Sequence, residues 1–323
     1  MDGGLSGMMG RSASPWDGGA AWSGRGVRRG LRSAIACHGV GLHSGAAVSL
    51  QLVPVAPGAG IAVRRVDLPG APVVPALWNY VADTRMCTVL ADPARPEVRV
   101  GTVEHVMAAL AGLGIDDAMI EVDGPECPIL DGSAAEFAFL IGCAGIAESA
   151  VAREAIEILR PVRVVDGAAY AALEPAGPRA GAFAMALEIE FAAAAIGRQR
   201  YACDLTPGGF IAELSRARTF TFADEVEALQ AAGLARGGSL ANAVVVDDAR
   251  VMNPEGLRFG DEFVRHKLLD VVGDLALAGA PMLGRFEGSR TGHRINNMVL
   301  RALFADAANY RMVGAVSELA AVA

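Results

Sequence analysis

One stretch, residues 260–277, constrains the fold more than any other, because it reads as a helix whose polar side is unusually narrow. At about 100° per residue, its main ionisable side chains fall within one stripe about 100° wide: His266, Lys267, Asp270 and Asp274. Apolar side chains cover most of the remaining surface. An ordinary surface helix has a broad polar face, so this helix does not have a surface pattern.

The spacing of His266 and Asp270 favours a metal site on this helix. Residues four apart lie on one helix face, so both side chains can reach one point. Imidazole plus carboxylate is a ligand pair suited to Zn²⁺ or Fe²⁺. Asp274 follows one turn later and is placed to orient a second group. The alternative is an ordinary His-x-x-x-Asp pair without metal, but Lys267, the only lysine of the chain, favours a functional interpretation.

Length and composition indicate a globular protein. A chain of 323 residues allows two domains of ordinary size, and it is 53% hydrophobic and 20% charged. The net charge of −8 argues against a nucleic-acid surface. No apolar run approaches the length of a membrane span, so we expect no transmembrane segment. Five scattered cysteines without a Cys-x-x-Cys motif predict a cytoplasmic protein without a disulfide framework.

The order of strand-like and helix-like segments predicts an α+β fold with two domains, each a sandwich of helices on a sheet. A strand over 156–165 opens the second domain, and no internal repeat is visible. The predicted divisions are a disordered extension over 1–28, a first α+β domain over 29–150, a second over 151–308 with a strand-helix-strand insertion near 219–247, and a C-terminal tail over 309–323.

Glu104 and His105 begin a second predicted helix, which glycines can end at Gly112 or Gly114. Neighbouring residues on a helix point about 100° apart, so one of the two can bind a metal while the other acts as a general base beside it. The metallopeptidase pattern His-Glu-x-x-His is absent from the chain. For this motif alone, the alternative is a capping glutamate next to a partly buried histidine.

Other candidates are scattered along the chain. His293 follows Gly292 at a helix start and is free to donate or accept a proton, or else to cap that helix. Thr219 offers a hydroxyl donor and Phe220 a flat face, unless both belong to an ordinary strand. Apolar side chains of the insertion can line a groove: Val226, Leu229, Leu234, Leu240 and Val245. We interpret His43, at the end of a hairpin, as a turn residue outside the site.

Together these motifs support a mononuclear zinc hydrolase with His105, His266 and Asp270 as ligands and one open coordination position. Glu104 and Asp274 remain available for proton transfer. A purely structural zinc would have four protein ligands. No fourth histidine or cysteine stands in a comparable motif, which favours catalysis.

Five collinear motifs carry a resemblance to a known family, including Thr-Val-Glu-His at 102–105 and Gly-His-Arg-Ile-Asn-Asn at 292–297. The motifs occupy residues 102–117, 128–134, 215–220, 258–270 and 292–297. In these motifs the chain resembles the UDP-3-O-acyl-N-acetylglucosamine deacetylases, the zinc amidases of lipid A biosynthesis. The similarity extends from about residue 30 to residue 306.

The resemblance implies two βααβ sandwiches with the site between them, and Zn²⁺ on the three ligands named above. It implies that Glu104 is the general base on a zinc-bound water and that Thr219 helps to hold the oxyanion. His293, kept protonated by Asp274, would deliver a proton to the departing amine. Lys267 would meet the polar or phosphate side of the substrate, and Phe220 would pack on its sugar or nucleotide.

The expected substrate is therefore an acylated UDP-N-acetylglucosamine, whose N-acetyl group is released as acetate and whose acyl chain lies along Val226, Leu240 and Val245. We expect a monomer that binds no nucleic acid. Two rivals stay open at this point: a zinc deacetylase or peptidase for another substrate class, and a non-enzymatic protein in which a metal joins two domains.

Overall fold

The computed structural model describes residues 26–177 and 183–314. Residues 1–25 of the predicted extension over 1–28 therefore lie outside the described residues. The described part contains six α-helices: α1 (Glu104–Gly112), α2 (Ala135–Ala144), α3 (Pro207–Gly209), α4 (Ala223–Ala231), α5 (Glu262–Ala276) and α6 (His293–Phe304). The predicted α+β class is confirmed. Among the described residues, no helix combines the length and the apolar character needed to cross a membrane.

The strands of the first half are β1 (Val27–Leu31), β2 (Ile35–Val40), β3 (Ala47–Val53), β4 (Ile61–Arg65), β5 (Val73–Pro75), β6 (Val81–Asp83), β7 (Val89–Asp92), β8 (Arg95–Val100) and β9 (Ala118–Val122). Those that follow are β10 (Ile146–Ala152), β11 (Glu154–Ile158), β12 (Val162–Asp166), β13 (Ala169–Glu174), β14 (Phe183–Glu190), β15 (Arg198–Leu205), β16 (Phe220–Phe222), β17 (Val244–Asp247), β18 (Arg250–Val251), β19 (Met282–Leu283), β20 (Arg285–Ser289) and β21 (Tyr310–Gly314).

Two five-stranded sheets share one topology, although no repeat is visible in the sequence. The first has the order β2-β3-β9-β4-β5 and the second β12-β13-β20-β14-β15. In both, the third and fourth strands of the order run parallel, and the other neighbours run antiparallel. In both, one helix precedes the third strand and another follows it, namely α1 and α2 in the first half and α5 and α6 in the second. The chain therefore contains a structural duplication.

The helices fill the space between the two sheets. Helix α2 packs on β2, α6 packs on β12 and β13, and α1 packs against α5 at the centre. At this crossing a Cβ atom on Gly273 of α5 would lie 2.0 Å from the carbonyl oxygen of Glu104. A glycine is therefore needed here, and it lets the first turn of α1 lie directly against α5. This close approach positions the candidate site.

Three segments differ in detail from the prediction. The expected strand over 156–165 is two strands, β11 and β12, in different sheets, because Pro161 lies between them and cannot donate a ladder hydrogen bond. The expected tail over 309–323 begins with β21, which pairs antiparallel with β11. Residues 27 and 28 of the expected extension belong to β1. The division into two domains stays a prediction.

The predicted insertion has the expected strand-helix-strand form. Strand β16 leads into α4, and the chain returns in β17, which pairs parallel to β16. A short third strand, β18, pairs antiparallel with β17. This unit stands between the fifth strand and the first long helix of the second half, and it places Val226 and Leu229 of α4 in the lining of the cavity described below.

Candidate functional site

Helix α5 is the platform of the candidate site. The helix is buried over most of its length, and His266, Asp270 and Asp274 are only 2%, 3% and 2% exposed. Side chains four residues apart lie on the same face, so these three form one row along the helix. The opposite face packs into the core through Val264, Leu268 and other apolar side chains. The narrow ionisable stripe of the sequence is thus a buried row, as its pattern indicates.

The structure brings His105 of α1 to the first two members of this row. The Nε2 atom of His105 lies 3.7 Å from Oδ1 of Asp270, and Nε2 of His266 lies 3.4 Å from the same oxygen. The two imidazole rings are nearly perpendicular, with their centroids 5.2 Å apart. One potential ligand atom from each residue falls within 4.8 Å of the others. All three predicted metal ligands therefore meet at one point.

The hydrogen bonds around this cluster fit a divalent cation. Oδ1 of Asp270, which faces both imidazoles, is buried and has no hydrogen-bond partner among the described residues. Nδ1 of His266 lies 3.1 Å from the carbonyl oxygen of Ala217 and donates to it, which leaves Nε2 with a free lone pair. Two imidazole nitrogens and one carboxylate oxygen are the donor set of catalytic zinc sites.

Electrostatics favour the ligand forms of these side chains. Burial lowers the pKa of His266 to about 4, so its imidazole is neutral near pH 7. Burial acts to raise the pKa of Asp270, but His266 and the ammonium of Lys267 outweigh it and hold this pKa well below its usual range; the Lys267 ammonium lies 2.7 Å from Oδ2. Neutral imidazole and ionised carboxylate are the states that bind a metal.

A second group, made of Glu104, His293 and Asp274, lies beside the cluster. His293 starts α6, and its Nδ1 lies 2.9 Å from Oδ2 of Asp274. The other ring nitrogen, Nε2, lies 3.8 Å from Oε1 of Glu104. The backbone N–H of Thr88 donates to Oε2 of Glu104 at 3.0 Å, and its hydroxyl donates to Oδ1 of Asp274 at 2.5 Å. These bonds hold both carboxylates on either side of one imidazole.

The pKa values of His293 and Glu104 are both raised, which favours the charged form of the histidine and the neutral form of the glutamate. Burial would lower the pKa of His293, but Asp274 and Glu104 outweigh it and raise the pKa to about 9. Burial raises the pKa of Glu104 above its ordinary value. His293 is therefore protonated at neutral pH and suited to donate a proton, while a carboxylate of raised pKa is a stronger base.

A cavity of about 850 Å³ opens in front of both groups, and its lining includes His266, Asp270 and His293. Glu104 and His105 lie just behind this surface, each 3% exposed. Every predicted groove and substrate residue except Leu234 appears in the lining: Thr219, Phe220, Val226, Leu229, Leu240, Val245 and Lys267. The apolar members come from the insertion, and we call Val226, Leu240 and Val245 the apolar arm, although Glu225, Glu227 and Gln230 of α4 also line the cavity. We call the ionisable residues His266, Asp270 and His293, from α5 and α6, the floor.

Three candidates have contacts that the sequence does not indicate. Lys267 donates to Asp270, so its ammonium is held at the cluster of predicted metal ligands. Phe220 is packed edge-on against Phe263, with ring centroids 5.0 Å apart, and only part of its surface is left for a ligand. The backbone N–H of Thr219 donates to the carbonyl of Gly132 at 2.8 Å, which fixes the strand while the side chain faces the cavity.

Two cavity or site residues escape the sequence interpretation. His43, interpreted as a turn residue, lines the cavity, and both of its ring nitrogens are buried without a hydrogen-bond partner among the described residues. Its position at a glycine-flanked hairpin end, with few histidines elsewhere, was the available signal. Thr88 donates to the carboxylates of both Glu104 and Asp274, and nothing in its local sequence distinguishes it.

Comparisons with known proteins identify the family of the chain. Residues 28–305 match the family UDP-3-O-acyl N-acetylglycosamine deacetylase. A UDP-3-O-acyl-N-acetylglucosamine deacetylase of Myxococcus xanthus is 48% identical over 288 residues, covering 89% of this chain and 90% of that protein. One of the same name from a Shewanella species (strain W3-18-1) is 46% identical over 293 residues, covering 90% and 94%. With a match of this length, the chain belongs to the UDP-3-O-acyl N-acetylglycosamine deacetylase family.

Proposed function

We propose that this protein hydrolyses the N-acetyl group of a UDP-3-O-(3-hydroxyacyl)-N-acetylglucosamine and releases acetate, as a step of lipid A biosynthesis. Relatives that match about nine tenths of the chain are named for that activity. The observation that carries the proposal is the meeting of a three-ligand cluster with a histidine between two carboxylates on the floor of one cavity.

The residues that would hold the metal are His105, His266 and Asp270, and the ion expected there is Zn²⁺. When bound, such an ion polarises a carbonyl oxygen and makes water a stronger nucleophile near neutral pH. The cluster comprises three side chains within the part of the chain that the structure describes, which leaves room for a further ligand. This supports a catalytic role over a structural one, which uses four protein ligands.

Proton transfer falls to Glu104 and His293. Glu104 takes a proton from the attacking water as its oxygen bonds to the acetamide carbon. His293, whose pKa of about 9 keeps it protonated, gives its proton to the amide nitrogen as the carbon–nitrogen bond breaks. The products are acetate and a free amine. Asp274 orients the His293 imidazole through Nδ1, with Asn296 donating to the same oxygen of Asp274 at 2.8 Å.

Substrate contacts come from the surrounding lining. The hydroxyl of Thr219 is proposed to donate to the developing oxyanion. A donor positioned at such an oxyanion increases the reaction rate by a large factor. Lys267 and Phe220 line the same cavity and are proposed to meet the sugar and its polar substituents. The apolar arm formed by Val226, Leu240 and Val245 is proposed to receive the acyl chain.

Acetate release from three compounds tests this proposal: the acylated UDP-sugar, the same UDP-sugar without its acyl chain, and simple acetylated peptides. We expect rapid release from the first, slow release from the second and none from the third. Equal rates on the first two would remove the acyl arm from the proposal. Activity on peptides alone would instead support a peptidase.

A further inference from the structure

A buried ion pair lies behind the metal-ligand cluster. Arg218, 2% exposed, precedes β16, and Glu262, fully buried, is the first residue of α5. The Nε atom and the backbone N–H of Arg218 both donate to Oε1 of Glu262, at 2.8 and 3.0 Å, and Nη2 donates to Oε2 at 3.1 Å. Glu262 also accepts from the backbone N–H of Arg258 at 2.6 Å.

Both terminal nitrogens of this guanidinium also donate to residues 255 and 256. Nη1 of Arg218 donates to Glu255 at 2.6 Å, and Nη2 donates to the carbonyl oxygen of Gly256 at 2.7 Å. A fork of this kind fixes direction as well as distance, which a lysine cannot do. Because desolvating two charges offsets most of their attraction, a buried pair contributes little net stability, and its value lies in geometry.

The neighbours of this pair are site residues on both sides. Ala217, directly before Arg218, offers the carbonyl oxygen that accepts the Nδ1–H of His266 at 3.1 Å. Thr219, directly after it, lines the cavity. Glu262 lies four residues before His266 on α5, so it stands one turn away on the same face. One ion pair thus joins the segment 217–219 to the helix that carries the ligand.

We propose that Arg218 and Glu262 are positioning residues, which set the imidazole of His266 for metal binding and the hydroxyl of Thr219 for the reacting carbonyl. The inference rests on the proposed function, since it assigns His266 as a metal ligand. Loosening the pair lets the Ala217 carbonyl move, and the His266 ring then loses the bond that fixes its tautomer and orientation. Zinc affinity and turnover both fall, while substrate binding through the acyl arm is unchanged.

The test uses the full chain with Arg218→Lys, which keeps the charge and removes the fork, and with Glu262→Gln, which approaches the pair from the helix side. The dissociation constant for Zn²⁺ is measured on metal-free protein by chelator competition. Removing a partner that orients a ligand typically weakens metal affinity about 10–100-fold, and we expect that range here. We also expect kcat to fall with KM nearly unchanged, because the lost alignment concerns the reacting groups.

Arg65→Lys is the matched control. Arg65 is 5% exposed and forms the same kind of fork, with Nε and Nη2 bonded to Asp67 at 2.8 and 2.7 Å, but it belongs to β4 in the first sheet. It should lower thermal stability without changing zinc affinity. If Arg218→Lys and Glu262→Gln behave like this control, the positioning role is wrong while the proposed function stands. If the unaltered protein itself binds no Zn²⁺, the proposed function fails as well.

Discussion

The two halves of this protein use one frame for different purposes. Each has a five-stranded sheet of the same order, with one helix before its third strand and one after it. In the first half, α1 contributes Glu104 and His105 from its first turn only. In the second, α5 contributes His266, Asp270 and Asp274 to the site, and α6 adds His293 at its start. The second half therefore supplies most of the candidate site residues.

The inserted segments differ in the same way. Between the fifth strand of its sheet and the first long helix, the first half carries the antiparallel strands β6, β7 and β8. At the same position the second half carries β16, α4, β17 and β18, which form the apolar arm of the cavity. The frame is duplicated, whereas the site depends on helix starts and insertions. This is why a shared fold does not by itself imply a shared function.

The sharpest test of this division compares one residue from each half. Asp270→Ala removes a proposed ligand, so we expect loss of bound zinc and of measurable turnover. Glu104→Gln removes the proposed base, so we expect zinc to remain and the rate to fall about 10²–10⁴-fold. Zinc content after gel filtration and acetate release measure the two effects. Equal loss of zinc in both variants would break the assigned roles. Glu188→Ala, on the second sheet, should change neither.

The proposed role of His293, at the start of α6, can be tested by varying the pH. His293 has a pKa of about 9, raised from 6.5, so the proposed acid is protonated below that value and turnover should decline as pH rises through it. Asp274→Asn removes a charge that raises this pKa, so the decline should move toward neutral pH. The same raised pKa of His293 also stabilises the folded state. This contribution is complete below about pH 6.5 and is lost as the pH rises through about 9.

Profiles of kcat against pH for the unaltered protein, Asp274→Asn and His38→Gln measure this prediction. His38 is an exposed histidine of β2 in the first half, and its replacement should leave the profile unchanged. An alkaline limb that stays in place when Asp274 becomes Asn would argue that another group titrates there.

The crossing of the two halves can be tested at Gly273. Its replacement by alanine places a methyl group against the Glu104 backbone, which cannot move aside as a flexible side chain would. We expect about 1–3 kcal/mol lower stability from overpacking, with weaker zinc binding because His105 moves away from Asp270. Chemical denaturation and chelator competition measure both. Gly260→Ala is the control, because its Cβ would meet nothing within 4 Å.

The smallest expected effect concerns the apolar arm. Leu240→Ala removes a side chain that lines the cavity, so KM for the acylated substrate should rise about tenfold, the scale of a small loss of apolar contact. The unacylated analogue should show no change. Leu159→Ala is the matched control, because Leu159 is 40% exposed, as Leu240 is 42%, but is not part of the cavity lining. A KM rise in the control would argue against the arm.

Sequence reasoning succeeds here where geometry is local. The ionisable row of α5 follows from helical spacing alone, because residues four apart share a face whatever the rest of the chain does. The strand-helix-strand insertion likewise appears as predicted, because its strands and helix are continuous in the sequence. The roles of His105, Glu104 and His293 came from weak motifs together with a family resemblance, and they stay predictions.

Only the tertiary structure decided the contacts between residues that are distant in the sequence. The duplicated strand order depends on pairs such as β4 with β9, whose residues are more than fifty positions apart, and no local pattern encodes that pairing. The same holds for His43 in the cavity and for the fork of Arg218 on Glu262, 44 residues away. Spacing along one helix is set by the backbone, whereas these contacts exist only because burying the apolar faces of two sheets brings distant segments together.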